Sequence, residues 1–167
     1  MKLETFHKQQ EQNSRMLRGW RTQKRRRLLV SGFLVLAALT AISALLIPAS
    51  PKYLLAIVSG FGALAILWTI IRITIDSEDM APLAALDEYQ FARLEAYRAF
   101  AFKLYGFFAS LIAFILIFGS MMWDSIAADS WSPTRVGVSL GYLLLLVTLT
   151  VGGYPALALA WNKSDED

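Results

Sequence analysis

The stretch that decides the fold is LLVSGFLVLAALTAISALLIP, residues 28–48, in which no side chain is charged. As an α-helix, a run of roughly 20 apolar residues is long enough to cross a hydrocarbon core about 30 Å thick. A surface helix of a water-soluble protein keeps one polar face, and this stretch has none. We therefore predict that residues 28–48 form a transmembrane helix.

Three more stretches of the same character follow along the chain. They are YLLAIVSGFGALAILWTII, which opens a span assigned to residues 53–72, LYGFFASLIAFILIFGSMMW at 104–123, and VGVSLGYLLLLVTLTVGGYPALALAW at 136–161. The apolar fraction of the chain is 56% and its mean hydropathy is +0.49. The sequence thus predicts an all-α polytopic membrane protein with four transmembrane helices in an antiparallel bundle. Pro155 should bend the fourth helix, because proline has no backbone N–H to donate.

The basic side chains lie mostly on one side of these spans. Residues 1–27, a predicted basic cytoplasmic tail, hold nine Lys and Arg, and further bases follow the second span. On the opposite side only Lys52 and Arg135 occur. Because short basic connections stay in the cytoplasm, we expect both termini there, including the acidic tail at residues 162–167. The membrane expected is the plasma (bacterial inner) membrane.

The side chains that most active sites need are missing from the spans. The sequence has no cysteine and one histidine, His7, and the four quoted apolar stretches contain no Asp, Glu, Lys, Arg or His. Ion pathways and proton relays nearly always use such residues. We therefore expect a protein that is not an enzyme, with no catalytic residue, no cofactor and no metal, and with neither nucleic acid nor a small-molecule substrate as a partner.

The basic run beside the first span is expected to make contacts. Anionic headgroups attract Lys and Arg near a membrane surface, and tryptophan prefers the interface. Contact with lipid headgroups or with a partner is predicted for Trp20, Lys24, Arg25, Arg26 and Arg27. The rest of the tail has few apolar side chains, so it is expected to become ordered only against another surface.

The connection 76–103 is predicted to be a cytoplasmic amphipathic segment leading into the third span. Asp79 is placed to cap a helix beginning near Pro82, with acidic residues at the positive end of the helix dipole. At helical spacing one side is apolar and is predicted to face a partner: Leu83, Leu86, Tyr89, Leu94, Tyr97 and Phe100. The inner leaflet, the N-terminal tail and another protein are three alternatives for covering this stripe.

Gly137 and Gly141 form a GxxxG pair in the fourth span. Small residues four positions apart let membrane helices approach closely. Close packing is predicted here, either within the bundle or against a partner.

Three functions remain open at this point. The first is a non-catalytic accessory or assembly subunit that packs against a larger membrane protein complex and stabilises it. The second is a small homo-oligomeric transporter or channel, and the third is a lipid-binding or regulatory membrane protein. The absence of ionisable residues from the spans favours the first.

The stretch Leu86-Asp-Glu-Tyr-Gln90, followed by Arg93, Tyr97 and Arg98, carries a resemblance to known proteins. It resembles the acidic element and Arg/Tyr-rich helix of small, uncharacterised four-helix membrane proteins of actinobacterial type. The overall plan is also similar to that of accessory subunits of actinobacterial respiratory supercomplexes. This second likeness implies a cofactor-free subunit of a respiratory complex, and neither likeness assigns a functional residue.

Overall fold

The computed structural model describes residues 3–121 and 132–164, and every regular element within them is helical. The α-helices of these two ranges are α1 Leu3–Arg15, α2 Gln23–Leu45, α3 Tyr53–Thr74, α4 Glu88–Met121, α5 Pro133–Gly152 and α6 Tyr154–Asn162. Short 3₁₀ turns lie at Arg18–Trp20, Glu78–Met80 and Leu83–Ala85. Helices α2 to α5 are each long and apolar enough to cross a membrane, which confirms the predicted fold class.

Helix α2 packs along both α3 and α5, and α5 packs along α4. The buried residues of α2 recur every three or four positions, which is the spacing of one helix face. They are Arg26, Leu29, Val30, Phe33, Ala37, Thr40 and Ala44. The opposite face of α2 carries exposed apolar side chains, as expected of a helix that meets lipid.

Two polar side chains mark where the helices come closest. Thr40 donates its hydroxyl to the Leu36 carbonyl at 2.8 Å, and a Cβ added to Gly60 of α3 would overlap the Thr40 side chain. Ser139 of α5 donates its hydroxyl to the Ala44 carbonyl of α2 at 2.6 Å, in a buried position. Hydroxyl groups and glycine at such contacts are the usual means of packing membrane helices.

The glycine pair predicted to pack closely lies elsewhere. A Cβ built on Gly137 or Gly141 meets no described atom within 4 Å outside its own helix. Close packing of these two glycines against the described part of the bundle is therefore a wrong prediction, because each faces open space. Their contact with a partner remains a prediction.

Helix α6 corresponds to the last third of the predicted fourth span. The helix is interrupted at Gly153, two residues before Pro155, where the sequence predicts a bend. The residues from Pro155 to Ala160 are all buried, and α6 contacts α2, α3 and α4. A Cβ on Gly153 would lie 2.6 Å from a ring carbon of Trp68, so the absence of a side chain lets the break fit beneath this indole.

Helix α4 begins later than predicted. Its first residue is Glu88 rather than one near Pro82, and it continues without a break through Lys103 into the third span. Its start is a reciprocal capping box: the Gln90 N–H donates to Asp87 Oδ1 at 2.7 Å, and the Asp87 N–H donates to Gln90 Oε1 at 3.3 Å. The predicted cap by Asp79 is wrong, because Asp79 lies in the 3₁₀ turn Glu78–Met80 and a second 3₁₀ turn, Leu83–Ala85, separates it from the helix.

The N-terminal segment is ordered against its own chain. Residues 3–15 form α1, which contacts α3. Phe6 and Asn13 are 5% and 7% exposed, so one apolar and one polar side chain fix this helix to the bundle. Among the described residues, the surface that holds this segment in place belongs to the same chain.

Candidate functional site

The described polar side chains concentrate at one end of the bundle, where α3 ends. Asp76 and Ser77 are 7% and 3% exposed, and both have a φ of 56°, in the left-handed region. A non-glycine residue held there costs on the order of 1–3 kcal/mol. The contacts of these two residues must offset that strain, and they join three separate parts of the chain.

The Asp76 carboxylate is bound by Arg21 through two parallel hydrogen bonds. Arg21 Nη1 lies 2.9 Å from Oδ2 and Nη2 lies 2.7 Å from Oδ1. The same Nη2 donates to the Asn13 carbonyl at 2.6 Å, and Lys163 Nζ lies 3.9 Å from the carboxylate. Bidentate pairs of this kind are among the stronger ion pairs because two bonds fix one geometry.

Ser77 binds the N-terminal helix. Its hydroxyl accepts hydrogen bonds from the side-chain amides of Gln9 at 3.4 Å and Asn13 at 3.2 Å. Because Asn13 is also held through its carbonyl by Arg21, α1 is attached to this turn at several points.

Glu78 extends the network to α4 and to the C-terminal segment. Arg93 of α4 lies 3.1 Å from one of its carboxylate oxygens, and Lys163 lies 3.5 Å from the other. Lys163 therefore neutralises two acids that come from one turn. We name the set Arg21, Arg72, Asp76, Glu78, Asp79, Arg93 and Lys163 the charged cluster.

Asp79 differs from the other two acids of the charged cluster. Arg72 Nε lies 3.4 Å from its Oδ2, and Arg98 donates to its backbone carbonyl at 3.0 Å. Its Oδ1 is buried and has no hydrogen-bond partner among the described residues. Burial raises the pKa of Asp79 above its ordinary 3.8, and the nearby Arg72 guanidinium opposes this shift without cancelling it.

Arg26 corrects the prediction of lipid contact for one residue of the basic run. Its side chain is 2% exposed, and Nη2 donates to the carbonyls of Lys163 at 2.6 Å and Ser164 at 2.7 Å. Its Nη1 also donates to the Arg21 carbonyl. A guanidinium enclosed among backbone carbonyls is turned away from lipid, so Arg26 holds the C-terminal segment instead.

The other members of that run remain on the surface. Lys24, Arg25 and Arg27 are exposed, and the Arg25 guanidinium lies 5.8 Å from the centre of the Trp20 ring. Arg27 lies 5.4 Å from the Trp161 ring centre and donates from Nε to the Trp161 carbonyl at 3.2 Å. No local sequence pattern predicts the contact between Arg27 and Trp161, because 134 positions separate the two residues.

The stripe predicted to face a partner is partly covered by the chain itself. Leu94 is 2% exposed within the core, and Leu86 packs against that core. The rings of Tyr97 and Phe100 lie 6.1 and 4.9 Å from that of Tyr154 in α6. Partner contact is thus a wrong prediction for Leu94.

The two ends of the predicted stripe behave differently. Leu83 starts a 3₁₀ turn outside α4, whereas Tyr89 lies in the first turn of α4 and is 74% exposed. Phe100 is about half exposed despite its contact with Tyr154. Tyr89 and Phe100 therefore remain available to another surface.

The charged cluster is built for holding segments together. Its acids are each paired with a base, and no three His, Asp or Glu in residues 3–121 and 132–164 are placed to hold one metal ion. These ion pairs and hydrogen bonds attach four segments to one another: α1, the turn after α3, the start of α4 and the residues after α6.

Comparisons with known proteins assign no family and no function to this chain. No family model matches the sequence, and neither a curated protein nor a solved structure matches it.

Proposed function

We propose that this protein is a non-catalytic accessory or assembly subunit of a larger membrane protein complex, and that it binds that complex through α4. The observation that carries the proposal is the long aromatic surface of α4. The proposal that the subunit is non-catalytic rests on the four apolar stretches of the sequence, which contain no Asp, Glu, Lys, Arg or His.

Helix α4 is attached to the bundle by a narrow line of residues. Its buried apolar residues are Leu94, Ala101 and Ile112, and its most apolar stretch is the least buried of the four candidate spans. Seven of the ten phenylalanines in the chain belong to this helix. Phe102 and Phe107 are 79% and 63% exposed, so a large aromatic surface faces away from the bundle.

Lipid accounts for only part of this surface. With 34 residues, α4 is about 51 Å long, well beyond a hydrocarbon core of about 30 Å. Tyr89 lies roughly 22 Å along the helix from Leu104, where the predicted third span begins. Exposed aromatic side chains outside the hydrocarbon favour contact with protein, since aromatic residues are enriched in the cores of interfaces.

The likeness to accessory subunits of actinobacterial respiratory supercomplexes supports a respiratory complex as the partner. We place the charged cluster on the cytoplasmic side of the plasma membrane, because most Lys and Arg residues lie at that end. A homo-oligomeric transporter or channel is the alternative, and it becomes an outcome of the test.

The test is site-specific photo-crosslinking in the native membrane. A photoreactive phenylalanine analogue replaces Tyr89 or Phe102 in α4. Matched controls carry it at Met80, which is 56% exposed at the same end, and at Leu55, which is 78% exposed on α3. We expect the same larger membrane protein to be captured from Tyr89 and Phe102 and from neither control. Capture of a second copy of this chain alone, or equal capture from all four positions, would overturn the proposal.

A further inference from the structure

We propose that Lys24, Arg25 and Arg27, together with Trp20 and Trp161, form a binding surface for anionic phospholipid headgroups. We name these five residues the headgroup surface. The inference goes beyond the proposed function, because it concerns the lipid at this end of the bundle and does not involve α4.

The position of the headgroup surface is set by α2. Lys24, Arg25 and Arg27 occupy the first turns of this helix and are exposed, whereas Arg26 between them points into the protein. Leu28 follows directly and is 65% exposed. The bases therefore end where the lipid-facing apolar surface begins, which is the depth of the phosphate groups of a bilayer.

The two tryptophans fix the arginines at this depth. Trp20 and Trp161 are each about 40% exposed, and each carries one guanidinium near its ring. Arg27 uses its Nε on the Trp161 carbonyl, which leaves its Nη groups without a partner in the described part of the chain. Indole rings settle at the membrane interface, so they orient the guanidinium groups toward headgroup phosphates.

The local charge is not balanced by the protein's described acids. The first turn of α2 has no acidic residue, and Thr22 makes no side-chain capping bond there. The described acids Asp76, Glu78 and Asp79 are paired with the bases of the charged cluster. A positive helix end with three exposed bases is complementary to a negative headgroup.

The occupant follows from continuity with the span. A water-soluble acidic protein or free phosphate would match the charge but would leave the apolar surface that starts at Leu28 uncovered, whereas the acyl chains of a lipid cover it. The proposal therefore commits to a phospholipid of the leaflet at this end.

The test measures lipid binding to the purified full chain by native mass spectrometry. The probes are phosphatidylglycerol, phosphatidylcholine and inorganic phosphate, and residues 165–167, which are acidic, are retained. The variant is Lys24→Gln/Arg25→Gln/Arg27→Gln. The matched control is Lys8→Gln/Lys52→Gln/Lys103→Gln, which removes three other exposed bases.

The natural chain should bind phosphatidylglycerol more tightly than phosphatidylcholine. Each base removed from the headgroup surface should weaken phosphatidylglycerol binding about five-fold, and the control should change it little. Should the triple variant fail to fold, Arg25→Gln and Arg27→Gln should each show the five-fold loss singly. Equal affinity for the two lipids, unchanged binding in the variants, or phosphate binding as tight as that of the lipid would overturn the proposal.

Discussion

At the scale of single residues, Asp76 and Asp79 show how one turn can hold two carboxylates in opposite electrostatic situations. Asp76 accepts two hydrogen bonds from Arg21, one on each carboxylate oxygen. Asp79 has one buried oxygen without a hydrogen-bond partner among the described residues, and burial raises its pKa. The two acids should therefore respond in opposite directions when their charge is removed.

Asp76→Asn is expected to destabilise the protein. The substitution removes one half of the bidentate pair and leaves Arg21, whose side chain is 18% exposed, without its counter-charge. A loss on the order of 2 kcal/mol in the free energy of unfolding is expected for a hydrogen-bonded charge of this kind. Reversible unfolding in micelles measures it, and Glu95→Gln, which breaks an exposed pair with Arg98, is the control that should change stability little.

Asp79→Asn is expected to stabilise the protein at neutral pH. Because the folded pKa is raised above 3.8, the stabilisation contributed by the protonated form is complete below 3.8 and is lost as pH rises through the folded pKa. At neutral pH the buried carboxylate is ionised, which is unfavourable, and the uncharged amide of the variant removes this unfavourable charge. The difference in stability between the variant and the natural chain should therefore shrink as the pH falls toward 3.8. Melting temperatures of both chains across this pH range test the sign. A lower melting temperature for the variant at neutral pH would contradict it.

At the scale of the helices, the spans were predictable, whereas the long-range contacts made near their ends were not. An uncharged stretch of the length of residues 28–48 is long and apolar enough to cross a membrane as a helix, so length and composition alone predict the span. The capping box of α4 is also local, since Asp87 and Gln90 are three residues apart and could have been recognised. The roles of Arg26 and Asp76 depend on partners far along the chain, at Lys163 and Arg21, and no local pattern signals them.

The contact between α2 and α3 gives a prediction at the same scale. Gly60→Ala would place a methyl group against Thr40, which is buried and held by its bond to the Leu36 carbonyl. Overpacking of this kind costs about 1–3 kcal/mol. Gly62→Ala in the same helix is the matched control, because its Cβ meets nothing within 4 Å. The free energy of unfolding in micelles should be lower for Gly60→Ala than for Gly62→Ala. Equal values would contradict the prediction and would mean that the Thr40 side chain moves to make room for the methyl group.

At the scale of the whole molecule, the charged cluster joins segments from both ends of the described chain. Arg26 binds the carbonyl of Lys163, which lies 137 positions later, and Arg21 binds Asp76 across 55 positions. Such contacts require α1, the turn after α3 and the segment after α6 to lie on the same side of the membrane. Four crossings meet this requirement, whereas an odd number would separate the two ends.

Cysteine labelling in intact cells tests the four crossings and their direction most directly. The sequence has no cysteine, so the single variants Lys8→Cys, Lys52→Cys and Ser164→Cys each carry one thiol. We expect a membrane-impermeant maleimide to label Lys52→Cys in intact cells, and to label Lys8→Cys and Ser164→Cys only after the membrane is opened. Labelling of either Lys8→Cys or Ser164→Cys from outside would contradict the predicted cytoplasmic side, and a difference between these two would contradict the four-span fold itself.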